Sequence, residues 1–96
     1  VRRFDQIRAI ARELDRTADA RMREDDRIEG GPLWEVVRRA SRAIEAVAEM
    51  ERDDVSIEDR SKRARYLISE LETALEAARQ VKTALEWTPR FPDGEV

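Results

Sequence analysis

The sequence predicts an all-α fold: an antiparallel three-helix bundle with long helices at about 3–28, 32–52 and 57–87, followed by a short extended tail. Three observations carry this. Apolar residues recur three and four apart along most of the chain, which is the period of a helix and not of a strand. Two turn-like stretches, Gly30-Gly31-Pro32 and Asp53-Asp54-Val55-Ser56, divide the part before the tail into three segments. The composition is 43% charged and 41% hydrophobic, with three Gly and three Pro, as suits helices with charged outer faces. Ninety-six residues make one domain, residues 1–87, with 88–96 as the tail.

The first helix opens with a coiled-coil-like seam, Phe4, Ile7, Ala11, Leu14 and Ala18, widened by Val1 and Ile10. The seam fails after Asp19, where charges dominate. Pairs four apart, Asp19 with Arg23 and Arg21 with Asp25, are expected to keep that stretch helical. Gly30-Gly31 is expected to end it, and Pro32 suits the first turn of the next helix.

The second helix has one polar stripe: Glu35, Arg38, Arg42, Glu45, Glu49 and Arg52. Apolar residues, many of them Ala, fill most of the remaining girth. Such a helix belongs between neighbours, and small residues let those neighbours approach closely. Ser56 then suits an N-cap, with Asp54 as the alternative, and Glu58 and Asp59 favour the positive end of the helix dipole. The third helix carries a heptad of Ala64, Leu67, Leu71, Ala74, Ala78, Val81 and Leu85, broadened by Ile68 and Leu75, with no Gly or Pro. The tail, Thr88-Pro89-Arg90-Phe91-Pro92-Asp93-Gly94, leaves helical geometry because of its prolines.

The bulk composition excludes several kinds of chemistry. Without Cys there is no disulfide, thiolate nucleophile or zinc-thiolate site. Without His the commonest general base and metal ligand are missing. Ser41, Ser56, Ser61 and Ser69 have no His to activate them, so no catalytic role and no cofactor is expected. A net charge of −3 selects no partner. The basic residues are 17 Arg and 2 Lys, which reads as codon bias or as Arg-rich ion-pair networks. No apolar run reaches the roughly 18 residues that span a bilayer, and no signal peptide is visible, so a cytoplasmic location is the expectation.

Two charge clusters merit chemical weighing. Asp26-x-x-Glu29 and Glu51-x-x-Asp54 form an acidic pair of pairs. This resembles the Glu-x-x-Glu … Glu-x-x-Asp magnesium site of MazG-type nucleotide pyrophosphohydrolases. That resemblance implies inward-facing carboxylates holding Mg²⁺ against a pyrophosphate. Here both pairs sit at helix ends and the first position is Asp, so solvated charge is the favoured reading. Arg60, Lys62, Arg63 and Arg65 put four positive charges in six residues, and Arg8, Arg12 and Arg16 line up four apart. Phosphate or nucleic-acid contact is the sharp reading of the first cluster; pairing of Asp59 with Arg63 and Glu58 with Lys62 is the bland one.

Two further resemblances are local. RARYLISELETAL, residues 63–75, is similar to a helix of flagellin-export chaperones of the FliS type. MERDDVSIED, residues 50–59, resembles the hairpin turn of the exonuclease VII small subunit. Each covers under a fifth of the chain, helix 1 and the tail fit neither, and no site residues are carried over.

The helix lengths point to association. At about 1.5 Å per residue the third helix is roughly 46 Å long and the second roughly 31 Å. Val81, Leu85 and Trp87 therefore project past the end of the second helix and need cover. Trp34, Val81, Leu85, Trp87 and Phe91 are the expected interaction residues, and a homodimer or another protein the expected partner. The leading expectation is a non-catalytic helical interaction or oligomerisation module. A nucleic-acid accessory subunit is the first alternative and a magnesium-dependent pyrophosphohydrolase the second.

Overall fold

The chain forms three helices in a computed structural model that describes residues 3–52 and 54–87. They are α1 (Arg3–Glu24), α2 (Gly30–Met50) and α3 (Ile57–Trp87). The short connections make neighbours antiparallel, and α2 lies between the other two. No Cα of α1 comes within 8 Å of one in α3. The bundle is therefore an open layer rather than a closed triangle.

The first helix stops earlier than its charge pairing suggests. Asp19 does pair with Arg23, at 2.7 Å, but Asp25 does not pair with Arg21 through its side chain. Its carboxylate accepts the backbone N–H of Arg27, the Arg27 guanidinium and the indole N–H of Trp34, the last at 2.9 Å. A short acidic side chain that captures a backbone N–H two residues on competes with the helix ladder, and here it wins. The break consequently falls at Asp25–Glu29, and Gly30 and Gly31 belong to α2 instead of ending α1. Pro32 still sits in the first turn, where its missing N–H is tolerated.

The two glycines have different reasons to be there. A Cβ on Gly30 would lie 2.5 Å from the Asp25 carboxyl carbon, whereas one on Gly31 would meet nothing within 4 Å. Gly30 is the floor on which the Asp25 carboxylate rests.

At the other end α2 finishes at Met50, where the Glu51 N–H closes on the Ala48 carbonyl at 3.3 Å and the Arg52 N–H on the Glu49 carbonyl at 3.4 Å. Ser56 caps α3, its Oγ accepting the Asp59 N–H at 3.1 Å, and Asp54 pairs with Arg52 instead. The observed start and end of α3 coincide with those expected from the sequence.

The packing between helices is built from alanine. The buried apolar residues are Ala11 and Ala18 on α1, Ala43, Ala46 and Ala48 on α2, and Ala74 and Ala77 on α3. Ser41 joins them, with its hydroxyl donating to the Val37 carbonyl at 2.7 Å. Small side chains bring helix axes close, but they remove little apolar area from water.

Two outcomes are expected. Gly31→Ala raises stability by about 0.5 kcal/mol, because alanine relieves glycine's backbone entropy at an open helical site. Gly30→Ala lowers the melting temperature by displacing the Asp25 carboxylate, and thermal melts of the pair check both signs. Hydrogen bonds from the Arg27 side chain and N–H, and then from Trp34, hold the Asp25 carboxyl well below the usual range. A depressed folded-state pKa contributes stability above the ordinary carboxylate value of about 4, which is lost as pH falls through the folded one. Asp25→Asn should therefore flatten the fall of melting temperature below about pH 4. A limb as steep as that of the unaltered chain would assign the acid sensitivity to Glu49 and Asp54, whose carboxyls Arg8 and Arg52 also lower.

Candidate interaction surface

The α1–α2 contact is a ladder of ion pairs. Arg8 pairs with Glu49, Arg12 with Glu45 at 2.5 Å, and Asp15 with Arg42 at 3.2 Å and Arg38 at 3.5 Å. Positions 8, 12 and 15 ascend as 49, 45 and 42 descend, so the ladder sets an antiparallel register. The line of arginines in α1 is thus consumed by α2: only Arg16 turns back to its own helix, to Glu13. The polar stripe of α2 is the other half of this ladder and not a solvated edge.

The α2–α3 contact holds one buried carboxylate. Glu70 accepts from Arg39 at 3.0 Å, and Arg39 also reaches Glu35 at 2.6 Å. Only 4% of Glu70 is exposed. Tyr66 hydrogen-bonds the same carboxylate, which holds its phenol above the ordinary range.

The layer has two unlike faces. One is a charged groove of about 600 Å³ over the polar stripe of α2. Its walls are Arg12 on α1 and Asp59, Lys62, Arg63 and Tyr66 on α3, with Arg42, Glu45 and Glu49 at its floor. The opposite face is apolar. At about 100° per residue, Leu33, Val36, Ala40, Ile44 and Val47 lie roughly opposite that charged floor. The same geometry puts Ile7, Ile10 and Leu14 of α1, and Ile68, Leu71 and Leu75 of α3, on the side away from the groove. All six are exposed, Ile10 to 61% and Ile68 to 55%, as are Ile44 and Val47. This face carries most of the large aliphatic side chains of the described residues, and none of the three described helices covers it.

The residues expected to mediate association divide. Trp34 is half-buried and latched to Asp25, so it secures the α1–α2 turn. Val81 is half-buried, Leu85 is exposed, and Trp87 is 78% exposed. They lie where α3 overhangs: Arg39 is level with Glu70 and Glu49 with Arg63, so α2 begins opposite a residue near 80. Phe91 and the rest of 88–96 lie outside the described residues. The broad apolar face was not singled out in the sequence, although the wide apolar girth of α2 signalled it.

The basic cluster does not form one continuous face. Lys62 and Arg63 line the groove beside Asp59, with Arg63 3.8 Å from Glu49. Arg60 reaches the Arg52 carbonyl, and Arg65 lines a separate hollow with Glu58, Ser61 and Lys62. Neither expected pair, Asp59–Arg63 or Glu58–Lys62, is present. The acidic pairs are far apart: Asp26 and Glu29 precede α2, and Glu51 and Asp54 follow it, about 31 Å away at 1.5 Å per residue over 21 residues. Among the described residues no three carboxylates gather as a metal site, and no helix is long and apolar enough to cross a membrane.

No family model, curated protein or solved structure matches the chain.

Removing the buried carboxylate tests the α2–α3 seam. Glu70→Ala should lower stability by about 2 kcal/mol, the scale of a hydrogen bond to a charged group. Glu76→Ala, exposed on the same helix, should change it by less than about 0.5 kcal/mol. Urea titration of the two variants gives the comparison.

Proposed function

We propose that this chain is a non-catalytic helical interaction module whose working surface is the broad apolar face. The observation that carries the reading is the contrast between what the protomer buries and what it leaves out. Among the described residues its fully buried apolar side chains are all alanine, while Ile10, Ile44, Val47, Ile68, Leu71 and Leu75 remain 42–61% exposed. Contiguous apolar surface of this extent marks a site of association. The charged groove gives the module a wettable outer side, so the two faces have separate roles. Leu85 lies toward the rim of that surface on the overhang of α3, whereas Trp87, about 100° or more round the helix from Ile68, Leu71 and Leu75, points away from it.

A surface of this kind is either covered by association or open to small apolar probes. At micromolar concentration the chain should sediment as more than one protomer, or else bind a hydrophobic fluorophore. The double substitution Ile44→Glu with Leu71→Glu should abolish whichever is seen, with helical circular dichroism retained. A chain that sediments as one protomer and binds no fluorophore would overturn the reading, as would a double variant that behaves like the unaltered chain.

A further inference from the structure

Resting on the docking reading above, we infer that the occupant of the apolar face is a second copy of this chain, packed face to face about a two-fold axis with α2 against its own counterpart. The first argument is the thinness of the protomer's own core. Ala11, Ala18, Ala43, Ala46, Ala48, Ala74 and Ala77 are the apolar residues it buries. Larger apolar side chains such as Leu33, Val36, Val37 and Leu67 are only half-buried, so a second surface laid on this face adds the burial that a short chain lacks. Cover of that kind is needed by every folded molecule at all times, and a second copy is the partner always present in equal number.

The second argument is area. A stable interface buries about 800 Å² per partner. At about 31 Å for α2 and about 9 Å between neighbouring helix axes, three helices side by side present roughly 800 Å² over the length of α2, so such an interface takes up most of that side. An overhang contact through Val81, Leu85 and Trp87 alone offers a few side chains at the end of one helix, well short of that area.

The third argument is self-complementarity. A two-fold interface presents the same patch to itself, so like charges would meet near the axis. The α2 part of the face holds no charge, because the ladder and the groove use Arg38, Arg42, Glu45 and Glu49 on the other side. A two-fold axis that lies in this face and passes over the middle of α2 brings α2 against α2 of the partner copy, whether the helices run parallel or antiparallel. Ala40 stands at the middle of that helix and lets the two backbones approach. The product is a six-helix sandwich with both charged grooves turned outward.

The test uses the absence of cysteine, which makes every introduced thiol unique. Light scattering of the full chain should give a mass twice its 11.2 kDa. On mild oxidation Ala40→Cys should form a disulfide-linked pair at least roughly tenfold faster than Lys62→Cys in the groove, since thiols facing each other in a complex meet at millimolar effective concentration. Ile44→Glu should bring the mass down to one protomer, and Trp87→Glu should leave it doubled. A single-protomer mass for the unaltered chain overturns the inference. If that protomer binds a hydrophobic fluorophore, docking to a different protein stands; if it binds none, the docking reading fails too. A doubled mass with Lys62→Cys cross-linking as fast as Ala40→Cys, or with dissociation by Trp87→Glu, overturns the placement on this face.

Discussion

The ion-pair ladder between α1 and α2 decides how the rest of the molecule is arranged. Arg8, Arg12 and Asp15 meet Glu49, Glu45 and Arg42 one level at a time. The ladder fixes the register of the hairpin, because a slip of one helical turn would set Arg12 against Glu49 and leave Arg8 without its partner. It also fixes the rotation of α2. With its polar stripe drawn toward α1 and the groove, its aliphatic side has one direction left. An exposed pair contributes little by itself, but several charges in a partly covered row hold geometry collectively. Their role here is orientation more than stability.

The turn at Asp25 serves the same end from another direction. Three donor groups, the Arg27 backbone N–H, its guanidinium and the Trp34 indole, converge on one carboxylate, and Gly30 leaves room for it. This shortens α1 and lets α2 begin two residues before Pro32. Trp34 is drawn into the latch, so an aromatic side chain suited to a partner is occupied at home. At the far end Ser56 and Asp54 divide the work of closing α2 and opening α3, one by capping and one by holding Arg52.

The helices themselves were legible in the sequence. An uninterrupted heptad and a serine cap define α3, and an apolar girth with one polar stripe identifies α2 as the middle element. Periodicity reports which residues share a face; it does not report what faces them. Arg8, Arg12 and Arg16 have the same spacing whether they meet water, phosphate or the carboxylates of a neighbouring helix. For the same reason the chain's overhang was visible from helix lengths, while the broad apolar face was not. Recognising that face requires knowing that α1 and α3 flank α2 without meeting. The end of α1 was missed because Asp25 has several possible partners in sequence, and the winning ones, Arg27 and Trp34, come together only once the turn exists.

The separation of α1 from α3 has a kinetic corollary. Each seam joins helices adjacent in the chain, so each closes over a short connection and has a low loop-closure cost. The two hairpins share α2 and nothing else. Either one can nucleate without waiting for the other, and the remaining outer helix then docks onto a template already formed. Topologies dominated by such local contacts fold rapidly. Two equivalent starting points also give the unfolded chain two routes down, so damage to one seam slows one route and leaves the other open.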